Sequence, residues 1–323
     1  MKYREIGDTG VLVSEIGFGA WGIGGVPKDA KAYGPTDDRT SLRALQRAIE
    51  RGITFFDTAP LYGYGHSEKL IGTAVEGKRD KVVISSKVGY VNFSGEQNFS
   101  PEYIRKSLEG ILKRLRTDYL DIYQLHDSSI NLLKEDNRII ETLERLKDEG
   151  KIRVPGISVK SVDEALAAVK DFKFKSIQVN FNLVDQRILE YGLLNECEKC
   201  GVGLIIRTPL CFGFLTGKYH ADDDYDKQDH RSRWPTEQVD RWADAYKLFA
   251  GELQNDQEQT NTQIALRFCL SYKQVSTVIP GILNVEHVDE NAESSNLGPF
   301  PGEVLKKINR IYRENQFMVQ QGK

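Results

Sequence analysis

The sequence predicts a single closed (β/α)8 TIM barrel over residues 1–323, with an N-terminal β-hairpin before it and extra C-terminal helices after it. Three observations carry this expectation. Short, β-rich apolar runs recur eight times and helical stretches separate them. The runs are nearly continuous in apolar residues rather than alternating, as expected of parallel strands buried on both faces. No linker interrupts the alternation, and the length suits one large barrel.

In chain order, "YREIGDTGVLVSEIG" sets a turn between two short apolar runs and predicts the hairpin. The first barrel run, "EIGFGAW", contains Gly17 to Gly22 as a literal G-x-G-x-x-G. That fingerprint holds a pyrophosphate only when a helix opens directly behind the turn. Here Ile23, Gly24, Gly25, Val26 and Pro27 follow, a poor helix opening, so no Rossmann site is expected. The remaining strands are read at "ITFFDT", "KVVISSKVG", "DYLDIYQLH", "VPGISV", "SIQVNFN", "GVGLIIRTPL" and "VSTVIPG". Helices are read at "DRTSLRALQRAIERG", "SPEYIRKSLEGILKRLR", "IIETLERLKDEGK", "SVDEALAAVKDF" and "RILEYGLLNECEKCG", several with a capping residue or a closing glycine. The polar stretch from Asp222 to Asp229 and the helical segment after Pro235 read as a long insertion behind strand seven. "PGEVLKKINRIYRENQ" reads as a helix beyond the eighth unit.

Composition narrows the function. With 44 Lys and Arg against 47 Asp and Glu, the net charge of −3 offers no basic field for nucleic acid or an anionic membrane. The start "MKYREIGDTG" lacks a signal-peptide apolar core and no apolar run approaches a membrane span, so a soluble cytoplasmic protein is expected. Cys197 and Cys200 form a C-x-x-C inside a helical pattern, with no second pair and no histidine beside it, so no metal is expected.

In such a barrel, polar residues at the C-terminal ends of strands point into the site. Asp57 closes "ITFFD", Lys87 closes "VVISSK", His126 closes "YLDIYQLH", and Tyr62 follows strand two in "TAPLYGYG". Each alone has an ordinary structural explanation. Together they deliver a carboxylate, an ammonium, an imidazole and a phenol to one rim, with no activated thiol or hydroxyl nucleophile. A phenol is a poor acid at neutral pH unless a nearby cation favours its phenolate, which Lys87 can supply while Asp57 keeps it charged. A neutral His126 can donate to a substrate oxygen. The set suits protonation of a carbonyl oxygen, and reduction then requires a hydride donor such as a nicotinamide.

"FFDTAPLYGYGHSE", "SSK", "DYLDIYQLHD", "GISV", "QVNFNLVDQR", "RTPLCFGFLTGKY" and "VIPGILNVEHVDENA", in this order across the chain, resemble the aldo-keto reductase superfamily. The resemblance implies Tyr62 as proton donor, Lys87 and Asp57 as the groups that tune it, and His126 as the residue orienting a small-molecule carbonyl substrate. It implies NADP(H), with NAD(H) as the other candidate, lying across the barrel mouth. Gly19, Ala20, Trp21 and Asp57 are implied beside it, Ser158 and Gln178 at the carboxamide, and Arg207, Pro209, Leu210, Gly213, Leu215 and Lys218 along the loop after strand seven. Gly281, Asn284, His287, Glu290 and Asn291 are implied around the adenosine. Three places depart from the common pattern: Val159 stands where an asparagine is usual, Arg207 where an aromatic often stacks on the nicotinamide, and Ile282, Leu283 and Asn284 where a basic residue is frequent.

The expected activity is reduction of an aldehyde or ketone, a sugar or sugar-derived carbonyl among them, to an alcohol. Rival readings are a sugar dehydrogenase working in the oxidative direction, a cofactor-binding regulatory protein with little turnover, and a cofactor-free barrel isomerase or lyase. Trp21, Leu61, Tyr64, Tyr90 and Phe93 are read as a substrate wall. The segment "DHRSRW" is read as a solvated loop, with contact of His230, Arg231 and Arg233 to a phosphate as the alternative.

Overall fold

The computed structural model describes residues 1–26, 32–253 and 259–319. Strands β1 (Tyr3–Glu5) and β2 (Leu12–Ser14) pair antiparallel as the expected hairpin. Eight parallel strands follow in chain order: β3 (Phe18–Gly19), β4 (Phe55–Asp57), β5 (Val83–Val88), β6 (Leu120–His126), β7 (Ile152–Ser158), β8 (Ser176–Asn180), β9 (Gly203–Arg207) and β10 (Val275–Val278). Each pairs with its sequence neighbour. Parallel bridges from Ile16 to Val278 and from Gly19 to Gly281 join the first barrel strand to the last.

Gly19 is required where the barrel shuts. A Cβ there would sit 2.7 Å from the carbonyl oxygens of Ile279 and Pro280. Gly24 has a similar reason, since a Cβ would sit 2.8 Å from the carbonyl carbon of Tyr62. The glycines of "GFGAWGIGG" thus allow close backbone approach. A short 3-10 turn over Gly22–Gly24 follows β3 and no α-helix opens there, in line with the rejection of a Rossmann turn.

Around the strands lie α1 (Asp38–Glu50), α2 (His66–Ala74), α3 (Pro101–Leu115), α4 (Ile130–Glu135), α5 (Arg138–Asp148), α6 (Val162–Lys170), α7 (Arg187–Glu190) and α8 (Leu193–Cys200). The insertion behind β9 contributes α9 (Thr236–Ala243) and α10 (Ala245–Leu253), followed by α11 (Asn261–Leu270), α12 (Val285–Leu297) and the expected terminal helix α13 (Gly302–Glu314). Helix starts follow their caps: Asp37 accepts from the Thr40 amide, Ser100 from that of Tyr103 ahead of Pro101, and Ser161 with Glu164 forms a capping box. The stretch "RILEYGLLNECEKCG" is two helices rather than one, because Gly192 adopts a left-handed φ of 72° between α7 and α8. Cys197 and Cys200 lie on α8 with free thiols. No group of three potential metal ligands occurs among the described residues.

The hairpin plugs the N-terminal end of the barrel. Ile6, Val11 and Val13 pack with Phe55, Val83, Ile122, Val154, Ile205 and Ile279 in one buried cluster. Arg4 fixes the plug by donating to Glu15 and to the carbonyls of Leu270, Tyr272 and Val275. No helix of the described residues is long and apolar enough to cross a membrane.

Candidate active site

Two-residue steps up the strands carry the interior from this apolar plug to the opposite rim. Phe55 leads to Asp57, Val83 through Ser85 to Lys87, and Ile122 through Gln124 to His126, because side chains of a strand return to the same face every second residue. Register then fixes neighbours across the barrel wall: Asp57 opposes Ser85, Lys87 opposes Gln124, and His126 opposes Ser158, which in turn opposes Gln178.

Lys87 is 0% exposed, and its ammonium donates to Asp57 Oδ1 at 2.5 Å, to the Thr58 carbonyl at 2.9 Å and to the Tyr62 hydroxyl at 3.3 Å. Burial pushes its pKa down, but Asp57 and Tyr62 more than offset this and the net direction is up, so the charge is retained. Burial pushes the Tyr62 phenol upward, whereas Lys87 pulls it down by a smaller amount. The phenol is therefore fully protonated at neutral pH. Lys87 thus acts in the expected direction, favouring the phenolate, and moderates a rise caused by desolvation. Burial lowers His126 to about 3, leaving a neutral imidazole 8% exposed. Its ring meets Tyr90 edge-on at 4.8 Å and Tyr62 at 6.3 Å.

Asp57 has further buried partners. Gln178 donates to Oδ2 at 2.9 Å and Gln124 at 3.3 Å, and Gln124 also donates to Ser85 Oγ at 2.6 Å. The amide of Gln178 thus faces the carboxylate, a contact not foreseen when it was assigned to a cofactor carboxamide. Gln124 was missed entirely; its only sequence signal is a polar residue two before His126 on the same face of the strand.

Asp127 was also missed. It sits in the left-handed region at φ 55°, and its carboxylate accepts from the Tyr90 hydroxyl at 3.2 Å, Ser158 Oγ at 3.3 Å and Arg207 Nη1 at 3.2 Å. Burial raises its pKa, but Arg207 and neighbouring cations reverse the direction and keep it ionised. Arg207 Nη2 donates to the Val159 carbonyl at 2.9 Å, so the rim position lacking the usual asparagine is tied to the arginine through its backbone.

The expected cofactor residues fall on one arc of the mouth. Ala20 donates its amide to the Asp57 carbonyl, and Trp21 packs against Tyr33 at 5.0 Å and Tyr62 at 6.4 Å. Behind β9, Thr208, Cys211, Phe212, Gly213 and Gly217 all take positive φ, folding the chain into a tight turn over Cys211–Thr216 in which Leu210 accepts from the Gly213 and Leu215 amides. Pro209 and Leu215 are buried within this turn, while Lys218 reaches out to Glu290 at 3.6 Å and so links it to α12. Asn284 caps α12 by accepting from the His287 amide at 2.9 Å. Gly281 is exposed at the mouth and Asn291 is buried in α12. Arg207 Nε and His287 Nδ1 are buried with no hydrogen-bond partner among the described residues, one at the middle of this arc and one at its far end.

Of the expected substrate wall, Trp21 and Tyr90 flank Tyr62 and His126, Leu61 is half-buried in the loop of Tyr62, and Tyr64 and Phe93 pair edge-on at 5.1 Å farther out. The reading of "DHRSRW" as solvated is overturned for Asp229, His230 and Arg231. His230 and Arg231 are buried, His230 against Trp21 at 4.6 Å and Arg231 in a bidentate pair with Asp229 over the Tyr219 ring. Arg231 is thus already neutralised by Asp229 rather than offered to a phosphate. Ser232 and Arg233 stay exposed. The same loop bridges to Ala32, which donates to the Gln228 carbonyl and accepts from the His230 amide, so the loops after β3 and β9 meet over the mouth.

Comparison with known proteins agrees with this architecture. A profile described as the aldo/keto reductase family matches residues 15–313. The chain is 34% identical over 247 residues to the aldo-keto reductase YhdN of Bacillus subtilis (strain 168), covering 75% of this chain and 72% of that protein. It is 33% identical over 236 residues to the NADH-specific methylglyoxal reductase of Escherichia coli (strain K12), covering 69% and 71%. The solved holo form of an aldo-keto reductase from Bacillus halodurans superposes with a TM-score of 0.78 at 27% identity, covering 99% of this chain and 98% of that one. The chain belongs to the aldo/keto reductase family and is an oxidoreductase of that nicotinamide-dependent class.

Proposed function

We propose that the chain, acting as one barrel unit, reduces an aldehyde or ketone to an alcohol with NAD(P)H, and that Tyr62 donates the proton. One observation carries this reading: a buried carboxylate and ammonium and a half-buried phenol in series, ending beside a neutral imidazole at the barrel rim. The protonated phenol is positioned to give its proton to a carbonyl oxygen. Lys87, 3.3 Å away, stabilises the phenolate that this leaves, and Asp57 holds Lys87 protonated throughout. His126 donates to the same oxygen from the other side and orients it. Gln124 and Gln178 hold the Asp57 carboxylate in place by donating to its second oxygen.

The residues present fit a nicotinamide dinucleotide. The unpartnered Arg207 Nε lies midway along, and His287 Nδ1 at the far end of, the arc on which Ser158, Gln178, Gly213, Lys218 and Glu290 lie. When bound there, the cofactor supplies the hydride. No cation stands at Asn284, and a bacterial relative is named for NADH, so we read the cofactor choice as weakly biased between NADPH and NADH.

Tyr62→Phe is the test. Cofactor binding by fluorescence quenching is expected to persist, and kcat for carbonyl-dependent NAD(P)H oxidation to fall by about a hundredfold or more, the scale for deleting a general acid. Near-native turnover removes Tyr62 from the reaction.

A further inference from the structure

We propose that Asp127 is a positioning residue that neutralises Arg207 and thereby sets the relative affinity of this chain for the oxidised and reduced forms of its nicotinamide cofactor. The inference rests on the cofactor reading above, in which Arg207 and Ser158 lie beside the nicotinamide ring.

Asp127 directly follows His126 and turns left-handed, a conformation that aspartate tolerates better than most residues. The turn carries the carboxylate back over the rim, where side chains from three elements converge on it: Tyr90 behind β5, Ser158 of β7 and Arg207 of β9. It is the one carboxylate paired with Arg207 among the described residues. The other guanidinium contact is a neutral carbonyl, and Nε has no partner.

The two cofactor forms differ in charge at the ring, which is positive when oxidised and neutral when reduced. An uncompensated guanidinium at that place repels one form and leaves the other untouched. In a half-buried rim such a charge acts over several ångströms with little screening. The carboxylate of Asp127 cancels it, and does so from the side on which Tyr90 and Ser158 also hold it in place.

The experiment is an equilibrium titration by tryptophan fluorescence, with each cofactor form in turn and no carbonyl substrate. Asp127→Asn keeps the side-chain shape and its acceptor oxygen but removes the charge. It is expected to raise the ratio of Kd for NAD(P)+ to Kd for NAD(P)H about tenfold, an effect of about 1.4 kcal/mol. Arg207→Met is expected to move the ratio the opposite way, and the double variant Asp127→Asn with Arg207→Met to return it close to the native value. These opposed shifts keep the test meaningful if one variant folds poorly, and loss of packing alone does not produce them. Equal changes for both cofactor forms in both single variants overturn the proposal. If the native chain binds neither form, the cofactor reading itself has failed, a result distinct from an unchanged ratio.

Discussion

The two ends of this barrel are built from the same strands and obey opposite rules. At the N-terminal end, the inward positions are Phe55, Val83, Ile122, Val154, Ile205 and Ile279, closed by the hairpin. At the C-terminal end, inward positions on the same strands are Asp57, Lys87, His126, Ser158 and Arg207. The lower layer is stabilised by apolar burial, which tolerates exchange of shape for shape. The upper layer contains buried charges whose desolvation is offset only by specific partners, so removing one partner leaves the other exposed to the full penalty. Stability in the lower half is spread over many contacts, whereas in the upper half it is conditional on pairs.

The sharpest way to break this contrast is Lys87→Met. It leaves Asp57 buried without its cation, so a loss of about 3–5 kcal/mol in unfolding free energy is expected, together with near-complete loss of turnover. Urea denaturation and carbonyl-dependent NAD(P)H oxidation measure the two effects. Ile122→Ala, on the strand that bears His126, probes the other end. It is expected to cost about 2–5 kcal/mol of stability while kcat stays near native, since its side chain packs in the apolar cluster with the hairpin. A large drop in kcat without loss of stability contradicts the division of labour.

A smaller effect separates the halves by pH. His126 titrates at about 3 in the folded chain and near 6.5 when unfolded. Its folded-state pKa is the lower of the two, so the unfolded chain takes up the proton first and stability falls as pH drops from about 6.5 toward 3. The contribution is a few kcal/mol at most. His126→Gln is expected to flatten this part of the stability profile, and Ile122→Ala to shift the whole profile without flattening it. The smallest expected effect concerns cofactor choice. NADPH and NADH are expected to differ by less than about a hundredfold in kcat/KM, and Asn284→Arg to move the ratio toward NADPH. Because Asn284 caps α12, that substitution also costs about 1 kcal/mol of stability.

The legibility of the sequence followed the same divide. Continuous apolar runs announced the eight strands, and a polar residue at each run's C-terminal end announced Asp57, Lys87 and His126. Gln124 and Asp127 stood in the same strand and its following turn, but their partners are set by cross-strand register and by a left-handed φ, neither of which composition reveals. Likewise "DHRSRW" is polar in letters, yet Asp229 neutralises Arg231, and aromatic rings of other segments cover His230. Gly192 breaks one predicted helix in two through its left-handed φ, and the letters hide the break because a helical apolar pattern continues on both sides of it.

The bridges from Ile16 to Val278 and from Gly19 to Gly281 have a consequence in time as well as in space. They join segments from opposite ends of the chain, the most non-local strand bridges among the described residues, and closing so long a loop is entropically costly until the intervening strands are in place. During synthesis the hairpin and β3 emerge first but must wait for β10 before the sheet has no free edge. Folding of this barrel is therefore expected to end where its sequence begins, with the two-residue strand β3 the last to be locked and an open sheet edge the state most prone to aggregation.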